Sequence, residues 1–319
     1  MDGRPYYVRV RSFGTWAFAL VPVIGLLELG AHVVQTQGSI PDGDWTAARQ
    51  FVVERARAED LVAFAPRWAD PLGREHFGAS VATLAREARA DEQRFPRAFE
   101  VSIRRAHVPA LRSWPVESVA HFGGVTVTTL NNPIPERVLD DLVSDVASGS
   151  QRVRVFRNDG SRQIDCTYAR GAPQTGGLGF GPAVPGERYV CPGGGFVGVS
   201  VMADLDYFPR RCIYAPPLGG GLRVRFADVA FGEVLRGHHG LYVEAERGKT
   251  GAPVTLSFRV ESVTLGSVVH RDGDGWKPFE FATSGLSGQK GDLVVDISSS
   301  GDRRLYCFEA VTEAKATIP

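Results

Sequence analysis

The sequence predicts three regions: one transmembrane helix near the N-terminus, a small α/β domain with a parallel sheet, and an all-β sandwich or barrel. Three observations lead to this prediction. An apolar, uncharged run lies before residue 35, and helical and extended patterns alternate from residue 40 to residue 148. From residue 150 onward, short alternating segments are separated by turns rich in glycine and proline. A chain of 319 residues is long enough for two such domains.

The apolar run covers residues 12–35. Residues 12–27 carry no charge, and Glu28 and His32 interrupt the remainder. Because about 20 apolar residues cross a bilayer, the run predicts a spanning helix with a polar outer end. Arginines precede it and aspartates follow it, so the positive-inside rule places residues 1–11 in the cytoplasm. We therefore expect an inner-membrane protein whose soluble domains lie in the periplasm or outside the cell.

Two other interpretations of the apolar run remain open at this point. A cleaved signal peptide would need small residues around its cleavage site, and Leu29-Gly30-Ala31 fits that requirement poorly. A hydrophobic helix buried in the protein is the other alternative.

Residues 40–148 are predicted to form a small Rossmann-like α/β domain. Apolar residues at helical spacing follow Asp44, which is a suitable N-cap. A short apolar run that ends at a proline predicts a buried strand, and a helix and a second strand after it complete a β-α-β unit. Such units favour a parallel sheet. The predicted elements are a helix over 44–58, a strand over 60–66, a helix over 73–90, a strand over 97–103, an edge strand over 123–130 and a helix over 135–146.

Residues 150–319 have the texture of an antiparallel β-sandwich or barrel. Segments such as QRVRVFR and LRVRFADV alternate apolar and polar side chains, and turn sequences such as PPLGGG and RGHHG separate them. The stretch VVHRDGDGWKPFEF, residues 268–281, predicts a hairpin with Phe279 and Phe281 facing the core.

Four cysteines, all in this β-rich region, fit an exported protein. None belongs to a C-x-x-C pair, which argues against zinc, and an oxidising compartment favours two disulfides. Three connectivities are compatible with four cysteines. We favour Cys166–Cys191, a local clip across a loop, and Cys212–Cys307, which would join an early strand to the last strand. Four buried thiols are the alternative.

The charge balance argues against a nucleic-acid partner. The chain has 36 basic and 36 acidic residues, so its formal net charge is zero. No block of like charge provides the electrostatic footprint that nucleic-acid binding requires.

The stretch DWTAARQFVVERARAEDLVAFAPRW is similar to the exported C-terminal region of multi-spanning bacterial glycosyltransferases that use polyprenyl-phosphate sugars. The resemblance covers residues 13–130. It implies a last membrane helix, an Asp-Trp helix and a small α/β domain, and a multi-spanning glycosyltransferase as a partner. Those enzymes need many spans and an early catalytic acidic residue, and this chain has one predicted span. The resemblance therefore implies a shared pathway and not the transferase activity.

Residues 207–315 resemble a galactose-binding-type jelly roll, as found in carbohydrate-binding modules. The segments that carry the resemblance are LRVRFADVAFGEVLRGHHG, DGWKPFEFATSGLSGQKGDLVVDIS and RLYCFEA. The resemblance implies a jelly-roll sandwich and a sugar ligand. Fold alone does not identify a ligand, so any binding residues must be argued from the site.

A first candidate site lies at the ends of the two predicted parallel strands. Open α/β sheets bind ligands at the carboxyl ends of their strands. Arginines beside a tryptophan could hold a phosphate or a uronate, and a solvated loop with ordinary ion pairs is the alternative. The residues that follow these strands are Arg67, Trp68, Asp70, Arg74, His76, Arg104 and Arg105.

A second group of candidates lies in the β-rich region. His238 and His239 are adjacent in an extended segment, so they point to opposite faces and one of them could contact a ligand. Trp276 could fill the core or stack on a sugar. Asp272 and Asp274 are weak candidates for a structural calcium, although the spacing does not match an EF-hand loop. We expect no other cofactor.

The sequence as a whole predicts a membrane-anchored, exported protein that binds or presents a cell-envelope glycan, or supports an envelope glycosylation system, without catalysis. A glycan-modifying transferase or hydrolase is the first alternative. A structural subunit of a multi-spanning glycosyltransferase is the second.

Overall fold

A four-stranded sheet forms the centre of the first folded region in the computed structural model. The model describes residues 14–37, 39–57, 59–78, 92, 94–160, 162–176, 181–217, 219, 221–301 and 304–314, with the side chains of 14–19 and 33–37 excepted. The strands of this sheet are β1 (Leu61–Ala65), β2 (Arg97–Ile103), β3 (Val116–Phe122) and β4 (Val125–Asn131). The helices before and beside it are α1 (Gly14–Gln37), α2 (Asp42–Arg55) and α3 (Asp70–Phe77).

The sheet is mixed, which corrects the predicted parallel sheet. Its order is β1-β2-β4-β3; only β1 and β2 run parallel, while β4 pairs antiparallel with both of its neighbours. The segment predicted as an edge strand is therefore interior, and the unpredicted β3 forms the edge. Helix α2 packs on the sheet through Trp45, Ala48 and Val52. Helix α3 lies close to β1, because a Cβ on Gly73 would clash with the Phe64 ring.

Between Leu20 and His32, helix α1 does not bury its apolar side chains against the rest of the protein. From Leu20 to His32, where its side chains are described, every residue is exposed. Across the described residues, no helix meets the length and apolarity needed to cross a membrane. The transmembrane span therefore remains a prediction. The predicted cytoplasmic tail, residues 1–11, and most of the helix predicted to reach residue 90 lie outside the described residues.

The second folded region is a β-sandwich, as predicted. Its strands are β5 (Arg137–Asp141), β6 (Val153–Asp159), β7 (Arg162–Arg170), β8 (Glu187–Val190), β9 (Phe196–Ala203), β10 (Pro209–Tyr214), β11 (Leu222–Ala230), β12 (Val234–Leu241), β13 (Val254–Val260), β14 (Val263–His270), β15 (Lys277–Ala282), β16 (Lys290–Ser299) and β17 (Tyr306–Ala314). Its two short helices are α4 (Leu142–Ala147) and α5 (Val243–Gly248).

The sandwich has two layers with a shared apolar core. One layer has the order β14-β13-β16-β11-β6-β7 and the other β9-β10-β17-β12-β15, with β8 bridging them. From β11 to β17 the chain crosses repeatedly between the layers, as in a jelly roll. Phe258 from one layer packs against Phe279 and Phe308 from the other, with ring centroids 5.1 and 6.3 Å apart. Alternation along the strands places these rings inside.

Two elements differ from the sequence prediction. Strand β5 precedes a shorter helix in the segment predicted as one helix, and β5 pairs with β17 of the sandwich. This segment thus packs with the sandwich, although the predicted boundary near residue 148 assigned it to the first domain. The stretch at residues 268–281 forms no hairpin: β14 pairs with β13 and β15 pairs with β12, so the turn between them joins the two layers. Phe279 is buried, as expected.

Both predicted disulfides are present. Cys166 is bonded to Cys191, and Cys212 to Cys307. The first joins β7 to the residue after β8, and the second joins β10 to β17, so they bind neighbouring strands in different parts of the sandwich. All four sulfur atoms lie in buried residues.

Candidate functional site

A groove with a volume of about 730 Å³ opens at the carboxyl ends of the parallel strands β1 and β2. Two of its walls carry side chains predicted for this place, and a third comes from Ser39 and Ile40, which precede α2. Six residues that define it are Ser39, Ile40, Trp68, His76, Arg104 and Arg105. Its volume falls in the range of small-molecule sites.

The β3–β4 turn and α2 form one wall of the groove. Asp44 was predicted to be the N-cap of α2, but the helix begins at Asp42 and Asp44 lies in its first turn. Its carboxylate accepts a hydrogen bond from the Gly124 amide at 2.8 Å. Gly123 has a positive φ of 57°, and a Cβ on it would clash with the Asp44 carboxylate. A glycine is therefore required at this point, and the turn is fixed against the helix.

The base of the groove combines a buried aromatic ring with a histidine. Trp45 is buried, and the His76 ring stacks on it with centroids 5.2 Å apart and an interplanar angle of 3°. The His76 Nε2 atom lies 3.8 Å from a carboxylate oxygen of Asp42. The stack sets the position of the imidazole, which can then donate a hydrogen bond toward the groove.

Trp68 stands at the rim of the groove and is 59% exposed. It lies in a single turn of 3-10 helix that directly follows β1. The Arg104 guanidinium carbon is 5.5 Å from its ring centroid, a cation–π contact between the ends of β1 and β2. This exposure leaves part of the indole surface available for contact with a ligand.

Arg104 and Arg105 form the centre of a strained turn. The Ala106 amide donates to the Ile103 carbonyl at 3.1 Å, and both arginines have positive φ values of 54° and 56°. A residue other than glycine in this left-handed conformation costs roughly 1–2 kcal/mol. Within the part of the chain that the structure describes, neither guanidinium forms an ion pair. The turn therefore presents two exposed guanidinium groups at the groove, without a carboxylate partner among the described residues.

The remaining candidates of the first group, Arg67, Asp70 and Arg74, do not line the groove. Arg67 lies over the Phe208 ring of the sandwich, 4.1 Å from its centroid. Arg74 pairs with Asp70 at 2.5 Å. Burial raises the pKa of Asp70 more than the neighbouring Arg74 lowers it. Arg67 and Asp70 line a smaller cavity of about 110 Å³ between the two folded regions.

Trp276 and His238 belong to a packed cluster at the end of the sandwich. The two rings are parallel within 7° at 6.2 Å, and Arg210 lies 5.8 Å from the Trp276 centroid. Asp204 holds Arg210 at 2.8 Å, and Glu309 holds His238 at 2.8 Å. We call these five residues the sandwich-end cluster. Trp276 is half-buried and fills space against the sheet, so it offers little free face to a sugar.

His239 points to the opposite side of β12, into the core. Its Nδ1 atom is 2.9 Å from the Tyr306 hydroxyl, and its side chain is buried. Burial, and then repulsion from His270, lower the pKa of His239 to about 3. A neutral, enclosed imidazole of this kind is structural, and the prediction that His239 contacts a ligand does not fit its position.

The two aspartates proposed for calcium are occupied by protein donors. Asp272 pairs with Arg304 and accepts from the Gly251 amide at 2.7 Å, while Asp274 pairs with Lys277 at 2.9 Å. Burial alone would raise the pKa of Asp272, but these hydrogen bonds outweigh it and the pKa lies below its usual value. Among the described residues, no group of three acidic, histidine or cysteine side chains could hold a metal ion.

The sequence analysis did not predict that the hairpin of β3 and β4 forms a wall of the groove. His121 and Thr126 line the groove from this hairpin, and their side chains lie 3.1 Å apart. The available signal was the Gly-Gly pair in the segment HFGGVTV, which is typical of a tight hairpin turn. Nothing local in the sequence shows that this turn docks beside Asp44, because the two are 80 residues apart.

Comparisons with known proteins find similarity only at the level of solved structures. No family model matches the chain, and no curated protein matches it. The CBM51-2 and INT domains of Clostridium perfringens ZmpB share 9% identity with a TM-score of 0.28, covering 62% of this chain and 45% of that one. This chain thus spans less than half the length of that neighbour.

Two smaller carbohydrate-binding modules are also similar. CBM51 of Clostridium perfringens GH95, solved with methyl-galactose, shares 10% identity at a TM-score of 0.25, covering 48% of this chain and 92% of the module. The CBM22-1 xylan-binding domain of Paenibacillus barcinonensis Xyn10C shares 16% identity at a TM-score of 0.26, covering 47% of this chain and 100% of that domain. At such low scores these likenesses carry no argument about function. The resemblance of residues 13–130 to glycosyltransferases finds no support in these comparisons.

Proposed function

We propose that this protein is an exported, membrane-anchored protein that binds an acidic cell-envelope glycan in the groove, without catalysis. The observation that carries the proposal is the rim of the groove. Trp68 is largely exposed there, Arg104 lies over its ring, and Arg104 and Arg105 have no carboxylate partner in the described chain. This combination suits a ligand that has both a sugar face and a negative charge.

The tryptophan and the arginines at the rim would recognise different parts of the ligand. The indole face offers a flat apolar surface on which the C–H face of a sugar ring can stack. The guanidinium groups donate several hydrogen bonds in a planar fork, which matches a carboxylate or a phosphate. The groove is concave and of suitable volume, so a bound sugar would lose much of its contact with water.

Export and anchoring are supported by two separate features. Both disulfides are of the kind that persists in oxidising compartments. Helix α1 is 24 residues long and exposes apolar side chains such as Leu26 and Leu27, each at 68%. A helix that is apolar on every side is stable when protein or lipid surrounds it. We place the soluble regions outside the inner membrane.

The test is a binding titration of the full chain in mild detergent with an acidic oligosaccharide and with a neutral one of equal length. We expect the acidic ligand to bind, and Trp68→Ala or the pair Arg104→Gln/Arg105→Gln to weaken binding by about tenfold or more. Arg247→Gln is a matched control, because Arg247 lies over the exposed ring of Tyr207 at 4.4 Å, far from the groove in sequence. Equal binding by the groove variants and the control would overturn the proposal.

A further inference from the structure

Strand β3 is an exposed edge of the four-stranded sheet. The sheet order is β1-β2-β4-β3, so β1 and β3 each have one side without a strand partner among the described residues. Strand β1 lies beside the sandwich, because its residues and Phe208 line the same cavity. Along β3, in contrast, Val116 and Val119 are 59% and 51% exposed, and Glu117 and His121 are exposed as well. An open edge of this kind can accept another strand.

The regular part of β3 lacks the features that commonly protect an edge strand. Such strands often carry a proline, a lysine or a bulge within the part that could pair. Strand β3 contains no proline and no lysine, and its register shift lies between Val116 and Ser118, at the beginning of the strand. From Ser118 to Phe122 each residue has its own partner in β4. This part of β3 is therefore extended and able to pair on its other side.

The backbone groups of alternate residues in β3 point away from β4. A two-residue turn, residues 123–124, joins the strands, and the residues that flank such a turn, here Phe122 and Val125, exchange both hydrogen bonds. Because hydrogen-bonded and non-hydrogen-bonded pairs alternate, the N–H and C=O groups of Val119 and His121 point outward. Within the described ranges, no backbone group bonds to these outward groups.

The sequence of β3 matches itself in an antiparallel pair. The alternate positions on the open side are Glu117, Val119 and His121, and only a register centred on Val119 pairs all three within the strand. Val119 then lies opposite Val119 of the second copy, and each Glu117 lies opposite a His121. Opposite charges across a strand pair stabilise it, whereas like charges destabilise it. The His121 Nδ1 atom is 3.1 Å from Thr126 Oγ1, which leaves its Nε2 atom for the carboxylate.

We infer that β3 binds the β3 strand of a second copy of this chain, related by a two-fold axis through Val119. Two four-stranded sheets would then form one continuous sheet. The pairing satisfies the outward backbone groups of both strands and packs the two exposed Val119 side chains against each other. An unrelated strand would have to supply a basic residue opposite Glu117 and an acidic residue opposite His121, and a second copy supplies both by symmetry. His121 also lines the groove, so the second strand would border that site.

The test introduces single cysteines into the full chain, purified in mild detergent. All four native cysteines are in disulfides, so an introduced thiol is the only one that a short bismaleimide can crosslink. Cβ atoms directly opposite each other in a strand pair are about 4.5–5.5 Å apart, so Val119→Cys should give a covalent dimer. Val263→Cys is the matched control, because Val263 is 59% exposed and lies on the edge strand β14. We expect about tenfold more dimer from Val119→Cys, because pairing raises the local concentration of the two thiols. Equal yields would overturn the proposal.

Charge reversal in the Val119→Cys chain tests the register. Glu117→Lys places a lysine opposite His121, and His121→Glu places two carboxylates opposite each other, so each change should lower the dimer yield about fivefold. Both changes together restore opposite charges and should restore the yield. If the single changes left the yield at the level of the Val119→Cys chain, the pairing centred on Val119 would be wrong. No glycan takes part, so the outcome is independent of the function proposed for the groove.

Discussion

Two tryptophans that were both candidates for ligand contact lie in opposite surroundings. Trp68 stands at the groove with more than half of its surface exposed, and Arg104 lies near its face. Trp276 is half-buried and packs near both Arg210 and His238. Each ring has a cation at its face, so a list of aromatic and basic residues cannot distinguish them.

The partners of the cations distinguish the two regions. Arg210 is held by Asp204 and His238 is bonded to Glu309, so the basic side chains of the sandwich-end cluster have acidic partners within it. Arg104 and Arg105 have no such partner in the described chain, and their backbone is strained. Strain and uncompensated charge together are expected where a ligand completes the interactions. The comparison therefore supports a structural role for the sandwich-end cluster, and it is the reason for proposing the groove as the binding site.

Replacing each tryptophan with alanine tests this assignment most strongly. We expect Trp276→Ala to lower the free energy of unfolding by about 3 kcal/mol, because a packed indole leaves a cavity against the sheet. Trp68→Ala should change it by less than about 0.5 kcal/mol, as for most exposed side chains. Denaturant unfolding of both variants and the parent chain measures the difference. Similar losses for the two would show that Trp68 also supports the fold.

Acidification should destabilise the sandwich through the buried imidazole of His239. His239 has a pKa of about 3 when folded and about 6.5 when unfolded, so below pH 6.5 the unfolded chain binds the extra proton. Its contribution to stability is complete above pH 6.5 and is lost as the pH falls toward 3. At pH 5 the loss is about 2 kcal/mol.

Unfolding measured at pH 7 and pH 5 checks this expectation. His239→Gln provides the control, because glutamine stays neutral and can still bond to the Tyr306 hydroxyl. Other titrating groups contribute equally to both chains, so the variant should lose about 2 kcal/mol less than the parent between the two pH values. An identical loss would mean that His239 is protonated in the folded protein.

The packing of Trp276 can be disturbed without changing the ring itself. A Cβ on Gly240 would lie 2.8 Å from its Cε3 atom, so Gly240→Ala must displace the indole. We expect a loss of about 1.5 kcal/mol, in the range of overpacked sites. Gly285→Ala is the matched control, since a Cβ there meets nothing within 4 Å. A loss as large in the control would point to a general effect of glycine replacement.

Much of the fold could be predicted from the sequence, because it depends on local pattern. Alternation of apolar residues located the sandwich strands, and four cysteines in an exported context led to both disulfides. The mixed order of the first sheet could not be predicted in this way, because β3 is exposed along most of its length and lacks an apolar pattern. Strand β5 escaped prediction for a related reason, since its pairing partner β17 lies at the far end of the chain.

The groove could be predicted only in part. The rule for parallel strand ends brought Trp68 together with Arg104, and it also included Arg67, which packs on the sandwich instead. Whether an arginine is free or paired depends on carboxylates distant in sequence, as Arg223 and Asp296 show at a separation of 73 residues. The sequence shows which residues are charged, but only the fold shows which of those charges are paired.

The smallest expected effect separates strain from charge in the groove. Asn-Gly is the favoured pair where both turn residues have positive φ, so Arg104→Asn/Arg105→Gly should raise the free energy of unfolding by about 1 kcal/mol while removing both charges. Arg104→Gln/Arg105→Gln removes the charges and keeps the strain, so its stability should match the parent. Both variants should lose anion binding, measured by titration with the acidic ligand. A stabilised Asn-Gly variant that still binds would show that the strain serves the fold and that the arginines are dispensable for the ligand. A more stable protein that no longer binds would instead show that the strained turn is kept for its two charges.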